Sequence, residues 1–241
     1  MTYSHGIKSW WGKRLLLLGL WRAHSLPVFL RIIHYYLKAE LTGEWEPWLW
    51  GMVPRKGRRA IDAGANKGQW AFKLAKRFNM VVAIEPHPAT AQRLRRSAPD
   101  NVQVVQGAVW NTPDYKTLIL YPDDRICRIV NHDLLFSMGE GQNGITVACF
   151  TIDALELRDV DFLKLDVEGA EAEALEGALA TIKASAPVIL IELHSVQARE
   201  RIEGLLVSLD YTWQFKHYPF YNPGDKLDAL RLWMVATPML K

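Results

Sequence analysis

A short apolar segment that runs into a glycine turn and then into an amphipathic helix constrains this fold most. Residues 60–63 read Ala-Ile-Asp-Ala, and Gly64 and Gly68 follow in the pattern D-x-G-x-x-x-G. Apolar side chains then recur at helical spacing, at Ala71, Leu74, Ala75 and Phe78. A strand, a glycine turn and a helix in this order are typical of α/β folds that bind nucleosides.

A second acidic residue and the glycine spacing together indicate the type of ligand. Glu85 ends the next apolar run, 23 positions after Asp62, and an acid at that place accepts ribose hydroxyls. The turn lacks the G-x-G-x-x-G spacing that brings a helix N-terminus to a pyrophosphate. Asp62 adds a negative charge that suits the sulfonium and ammonium of S-adenosylmethionine. The pattern therefore predicts S-adenosylmethionine as the cofactor, with Glu85 on its ribose.

The rest of the chain alternates between strand and helix patterns. Strands are predicted over 102–105, 115–121, 144–150, 160–166 and 187–194, and a closing hairpin over 211–215 and 232–236. Helices are predicted over 196–209 and on the apolar face formed by Leu175, Ala178, Leu179 and Ile182. This order predicts an α/β fold with a mostly parallel, doubly wound sheet and a C-terminal antiparallel hairpin.

Ligands of such sheets bind at the carboxyl ends of the strands. The residues at these predicted ends are polar or small: Asp62, Glu85, Gln106–Ala108, Asp166, Glu192 and His194. Together with the glycine turn they define the predicted cofactor-binding residues, which are Asp62, Gly64, Asn66, Gly68, Glu85, Pro86, Gly107, Ala108 and Asp166.

The first fifty residues differ from the rest in charge and aromatic content. Residues 1–39 carry six basic and no acidic side chains, and the remainder carries 23 basic against 26 acidic. Six of the ten tryptophans also lie before residue 51. The apolar run 15–21 is too short to cross a bilayer and lacks a signal-peptide cleavage site. We therefore expect residues 1–50 to form a helical extension of a cofactor domain over 51–241.

Three roles are open for this extension. It is expected to cover the domain as a lid, to form a homodimer surface, or to contact a membrane peripherally through residues 1–38, because basic residues beside Trp and Leu are typical of interfacial helices. The two cysteines form no disulfide framework. We therefore expect a cytoplasmic protein, with any membrane contact at the inner face.

Several segments resemble the FkbM-type S-adenosylmethionine-dependent methyltransferases. The matching segments are 61–68, 84–88, 151–155, 162–171 and 175–178, followed by Glu192 on the next strand, within a region from about Glu44 to about Leu209. The most specific is Lys164-Leu165-Asp166-Val167-Glu168-Gly169-Ala170-Glu171. The resemblance implies a Rossmann-like class I methyltransferase fold. It also implies O-methylation of a hydroxyl on a sugar, a polyketide or a similar natural product.

Methyl transfer to a hydroxyl requires alignment of the reactants and a proton acceptor. His194, Asp166 and Glu192 are the candidate catalytic residues, with His194 or Asp166 as the base. Asp166, Glu168, Glu192 and His194 together also offer the donors that Mg²⁺ or Mn²⁺ would accept. Structural roles remain open: a hydrogen-bonded histidine at 194, a helix N-cap at 166, and helix-dipole partners at Glu168 and Glu171.

The favoured acceptor is a sugar hydroxyl of a glycan or glycolipid, because stacking aromatic and polar residues are available. The candidate acceptor residues are Tyr115, Tyr121, His132, Asp133, Trp45 and Trp48. The alternatives are a polyketide-type acceptor, a NAD-dependent or nucleotide-sugar enzyme, and a non-catalytic module that docks through residues 1–50. No nucleic-acid partner is expected, because residues 40–241 carry a net negative charge.

Overall fold

The computed structural model describes residues 47–120, 127–130, 143–217 and 232–239. The chain divides into two compact units, Met1–Trp50 with Pro219–Tyr221, and Gly51–Tyr218 with Asn222–Lys241. A short 3₁₀ helix spans Pro47–Gly51. The predictions made for residues 1–46 lie outside the described residues. None of the described helices has the length and apolar content that crossing a bilayer requires.

The strands and helices of the second unit follow one another in the predicted alternation. In chain order the described strands are β1 (Gly57–Ala63), β2 (Phe78–Glu85), β3 (Val102–Gln106), β4 (Ala108–Val109), β5 (Asp114–Leu120), β6 (Cys127–Val130), β7 (Asn143–Phe150), β8 (Val160–Leu165), β9 (Val188–Leu193), β10 (Tyr211–His217) and β11 (Leu232–Pro238). The described α-helices are α1 (Gln69–Leu74), α2 (Pro88–Ser97), α3 (Glu171–Glu176), α4 (Leu179–Ser185) and α5 (Val196–Ser208).

The main sheet has the strand order β10-β11-β9-β8-β1-β2-β3. The strands from β9 to β3 are parallel, whereas β11 runs antiparallel to β9 and β10 antiparallel to β11. This confirms the predicted mostly parallel sheet with a C-terminal hairpin. Strands β1 and β8 are neighbours, and the chain winds away from them in opposite directions. Their carboxyl ends therefore form the switch point at which such sheets bind ligands.

The two faces of the main sheet carry different residues. Ile61 of β1 and Leu163 of β8 belong to a buried apolar cluster that includes Leu175, Ile182 and Ile202 from α3, α4 and α5. Because strand side chains alternate, the intervening residues of β1 and β8 face the other side. On that side lie a buried acid and a buried lysine, which form part of the site described below.

A second, four-stranded sheet has the order β4-β7-β5-β6. Strand β5 pairs antiparallel with β7, as predicted for the segments 115–121 and 144–150. Its small core contains Ala108, Leu118, Val147 and Cys149. The segment between β3 and β4 therefore links the ligand edge of the main sheet to this second sheet.

Two helix predictions were wrong at their boundaries. Helix α1 ends at Leu74, and Phe78 is instead the first residue of β2. The apolar face from Leu175 to Ile182 belongs to two helices, which are separated at Gly177. A side chain at Gly177 would meet the Trp110 carbonyl oxygen, with 2.1 Å from Cβ to oxygen. The carboxylate of Asp153 restarts the helix by accepting the N–H groups of Ala180 and Thr181.

Candidate active site

The glycine turn after β1 is shaped by close contact with the loop after β8. Gly64 has φ +80°, and a Cβ there would lie 1.8 Å from the carbonyl oxygen of Asp166. Gly68 caps α1 with φ +85°, and its missing Cβ leaves room for the side chain of Leu94. The sequence pattern attributed these glycines to approach by a ligand. The structure adds a reason within the chain itself, because a Cβ at either glycine would clash with neighbouring atoms.

Glu85 ends β2 and is held by two backbone groups. Its Oε2 accepts the N–H of Asn66 and its Oε1 accepts the N–H of His87, both at 2.8 Å. Burial raises the pKa of Glu85, although the two N–H donors act in the opposite direction. Pro86, half-buried, directly follows Glu85. The carboxylate is therefore fixed in place beside the glycine turn before any ligand arrives.

The predicted residues Gly107 and Ala108 lie where the chain leaves the main sheet. The N–H of Gly107 donates to the carbonyl oxygen of Glu85 at 3.1 Å. Ala108 is buried and begins β4, where it pairs with Cys149. Gly107 is thus adjacent to Glu85 through the backbone, and Ala108 follows it as the first residue of the second sheet.

Asp62 and Asp166 are joined by a lysine that lies between them. The Nζ atom of Lys164 is 3.2 Å from Asp62 Oδ1 and 3.1 Å from Asp166 Oδ2. The side chain of Asp62 is 0% exposed, and burial raises its pKa against the effect of Lys164. The expectation that Asp62 contacts a cationic ligand directly is corrected here, since its cationic partner is Lys164.

Asp166, Glu192 and His194 come together at the carboxyl ends of β8 and β9. One potential ligand atom from each lies within 4.8 Å of the others. Burial raises the pKa of Asp166, but the positive charges of Lys164 and His194 outweigh it, and hydrogen bonding with Glu192 adds to them, so the pKa is lowered overall. The lowered pKa favours the ionised form of Asp166. Its side chain is 25% exposed.

His194 is enclosed by carboxylates. Its Nδ1 lies 2.7 Å from Glu171 Oε1 and its Nε2 lies 3.3 Å from Glu168 Oε2. Burial lowers the pKa of His194, but the hydrogen bond to Glu171 and the charges of Glu171, Glu192 and Glu168 raise it to about 9. The imidazole therefore carries a proton at neutral pH. As a general base it would first have to lose that proton.

Two residues of this site had no predicted role in it. Lys164 stands out as one basic residue in an apolar strand, and its strand pairing with Asp62 is visible only once β1 and β8 are known to be neighbours. Glu171 matched a helix-dipole pattern. In the structure it accepts the N–H of Gly169 at 2.8 Å and binds His194 as well. For both residues the contact is tertiary, so spacing along the chain gives no signal.

Most of the predicted acceptor residues lie outside the part of the chain that the structure describes. Tyr115 lies on β5 with 69% of its surface exposed. Trp48 belongs to the 3₁₀ helix, and its side chain lies outside the described part of the chain. Tyr121, His132, Asp133 and Trp45 also lie outside it. The acceptor surface therefore remains a prediction.

The fold and the site together define a class of protein. A parallel Rossmann-like sheet with an antiparallel hairpin at one edge is the class I methyltransferase fold. Its switch point carries a glycine turn and a fixed acid after β2. The sequence matches the Methyltransferase FkbM domain family over residues 62–234, and the chain belongs to this family.

The solved structures that resemble this chain have low sequence identity to it. The chain resembles the crystal structure of Methyltransferase FkbM from Methylobacillus flagellatus KT, with 18% identity, a TM-score of 0.54, and 91% of this chain and 57% of that chain covered. It also resembles M. jannaschii TYW2 in complex with AdoMet, with 14% identity, a TM-score of 0.43, and 77% and 68% covered.

The chain also matches part of a protein from Pyrobaculum aerophilum, "Probable ribosomal RNA small subunit methyltransferase A". The two are 36% identical over 77 residues, which is 32% of each chain. The chain thus spans about a third of this curated relative and 57% of the FkbM structure.

Proposed function

We propose that this protein is an S-adenosylmethionine-dependent O-methyltransferase that acts on a hydroxyl of a sugar in a glycan or glycolipid. The observation that carries the proposal is the partly exposed carboxylate of Asp166 at the switch point. Its backbone packs against the glycine turn. A proton acceptor thus stands beside the predicted cofactor turn, where an attacking hydroxyl would require it.

In the proposed reaction the acceptor oxygen attacks the methyl carbon of the sulfonium. The new C–O bond forms as the C–S bond breaks, and its electron pair leaves on the neutral thioether, S-adenosylhomocysteine. The hydroxyl proton passes to a side chain of the enzyme. The charge states support Asp166 as its acceptor, because His194 already carries a proton. His194 and Glu192 then hold Asp166 in place.

Glu85 supports the cofactor part of the proposal. Two backbone N–H groups fix its carboxylate, and each oxygen retains capacity to accept a further bond. The vicinal hydroxyls of a ribose would be suitable donors.

A divalent cation such as Mg²⁺ or Mn²⁺ is a further part of the proposal. Asp166, Glu192 and His194 supply two carboxylates and an imidazole at suitable mutual distances, and Glu168 lies against His194. A bound cation would lower the pKa of the acceptor hydroxyl. Binding would also have to displace the proton of His194. Calorimetric titration with Mn²⁺ alone, before and after Asp166→Asn, tests this part without an acceptor.

The cofactor is tested by calorimetry of the full chain with S-adenosylmethionine and, in parallel, with NAD. We expect binding of the sulfonium compound and none of NAD. Binding of NAD alone would instead support the oxidoreductase alternative. Retention of cofactor with no transfer to any acceptor would support a binding module.

The acceptor is tested by transfer of a labelled methyl group to a panel of free sugars, glycolipids, polyketide alcohols and RNA. We expect labelling of the glycolipids, with the methyl on oxygen and no product from Asp166→Asn. Transfer to a polyketide alcohol alone would support the O-methyltransferase reaction but would show that the acceptor is not a sugar. Labelled RNA would contradict the expectation that no nucleic acid is bound.

The N-terminal residues are tested by deleting residues 1–38. If they contact a membrane peripherally, the shortened chain should lose binding to anionic vesicles and still bind the cofactor. Loss of cofactor binding would favour a lid, and a change in oligomeric state would favour a homodimer surface.

A further inference from the structure

A buried lysine on a central strand has no place in the proposed reaction. Lys164 lies on β8 between Leu163 and Leu165, with 1% of its surface exposed. Taking an ammonium out of water costs free energy, and an apolar side chain of similar size often replaces a buried ion pair without loss of stability. Stability is therefore a weak reason for a lysine at this position.

The ammonium is enclosed on one face of the sheet. Asp62 lies directly opposite Lys164 in the pairing of β1 with β8. Asp166 follows two residues after Lys164, and their side chains meet at 3.1 Å. The rings of Trp70 and Trp233 lie 5.7 and 6.0 Å from Nζ, at distances typical of cation–π contacts.

The two carboxylates beside this ammonium differ in access. Asp62 has no exposed surface, and within the protein it meets the ammonium of Lys164 and the backbone N–H of Ala71. Asp166 is partly exposed, and its backbone packs against the turn at Gly64. A ligand at the switch point can therefore reach Asp166 and cannot reach Asp62. The buried ammonium of Lys164 therefore contacts, and can orient, the accessible carboxylate of Asp166.

We infer that Lys164 is a positioning residue, whose ammonium, anchored by Asp62, holds the Asp166 carboxylate in the orientation that receives the cationic sulfonium end of the methyl donor. This inference rests on the proposed function, in which Asp166 stands beside the cofactor turn and the methyl group passes from the sulfonium to an oxygen. It has a specific consequence, since a fixed carboxylate favours the cationic donor over its neutral thioether product.

The experiment removes both buried partners together. A single Lys164 variant would leave Asp62 buried and unpaired, so the test variant is Asp62→Asn/Lys164→Met. Calorimetry gives the affinities for S-adenosylmethionine and S-adenosylhomocysteine, and thermal unfolding gives the melting temperature. We expect the affinity for the sulfonium compound to fall about tenfold or more, as for the loss of one charge-assisted bond. The affinity for the thioether should fall much less, with an unchanged or higher melting temperature.

The chain offers a matched control on the same two strands. Arg58 of β1 and Asp161 of β8 form an ion pair at the opposite ends of these strands, with 2.6 Å between Nη2 and Oδ1. The variant Arg58→Met/Asp161→Asn removes the same kinds of charge from the same pair of strands. It should leave both affinities unchanged.

Three results would overturn the inference. An equal loss of affinity for both ligands, or a lower melting temperature with an unchanged affinity ratio, would give Lys164 a structural role only. The proposed function fails separately, if the wild-type chain does not bind S-adenosylmethionine at all. A wild type that binds the cofactor and a double variant that binds it equally well contradict only the inference.

Discussion

The two ends of strands β1 and β8 carry the same kinds of charged residue in opposite surroundings. At the amino end of β8, Arg58 pairs with Asp161, and 58% of the arginine side chain is exposed. At the carboxyl end, Lys164 pairs with Asp62 and Asp166 with almost no exposure of the lysine. The ion pairs at the two ends differ in their exposure to water. The charged side chains at the amino ends of these strands are thus exposed to solvent, whereas those at the carboxyl ends are held in fixed positions by burial.

This difference has an energetic meaning. Exposed pairs contribute little, because water and salt screen them. Removing one member of a buried pair leaves a charge without compensation, which is costly. The effects of substitutions should therefore differ sharply between the two ends.

The largest effect is expected from Lys164→Met alone. It leaves Asp62 without its partner, so the free energy of unfolding should fall by about 3–5 kcal/mol. Urea denaturation measures this, with Arg58→Met as the control at the other end, whose midpoint should hardly move. Similar losses in both variants would show that burial does not separate the two ends.

A smaller effect is expected from the proton on His194. Its folded pKa of about 9 lies above the ordinary value of 6.5, so its contribution to stability is complete below pH 6.5 and is lost as the pH rises through 9. The loss is at most about 3 kcal/mol. The stability difference between wild type and His194→Gln should therefore shrink from pH 6 to pH 10. A constant difference would contradict the protonated state.

Cofactor binding should respond at the carboxyl end only. Glu85→Gln turns one oxygen acceptor into an NH₂ group facing the N–H of Asn66 or His87, so the affinity for S-adenosylmethionine should fall about tenfold or more. Asp161→Asn serves as the control in the same calorimetric titration and should bind normally. Normal binding by both variants would place the ribose elsewhere.

The smallest effect concerns salt. Raising NaCl from about 0.1 M to about 1 M shortens the screening length from about 10 Å to about 3 Å. Any stability difference due to Arg58→Met should then vanish, whereas the difference due to Lys164→Met should persist. Denaturation at the two salt concentrations compares them, and a loss of both differences would place Lys164 in contact with solvent.

Much of this architecture could be predicted from local patterns. Alternating apolar segments and the turn after Asp62 predicted the parallel sheet and its hairpin, because strand periodicity and turn chemistry act over a few residues. Helix boundaries failed where a distant contact decides them. At Gly177 the carbonyl oxygen of Trp110 leaves no room for a side chain, and the carboxylate of Asp153 accepts N–H groups at the start of the next helix.

For the site, the sequence determined which residues reach the ligand edge, since parallel strands end at the same edge of their sheet. Only the tertiary structure decided the partners and the burial of each residue. Strand pairing placed Lys164 against Asp62. The sequence pattern suggested that Asp62 meets a cationic ligand, whereas in the structure it forms a buried ion pair with this lysine. The hydrogen bond with Glu171, a contact across the fold, raises the pKa of His194 and favours its protonated form. Charge states depend on burial and on neighbours across the fold, and the order of residues along a chain contains neither.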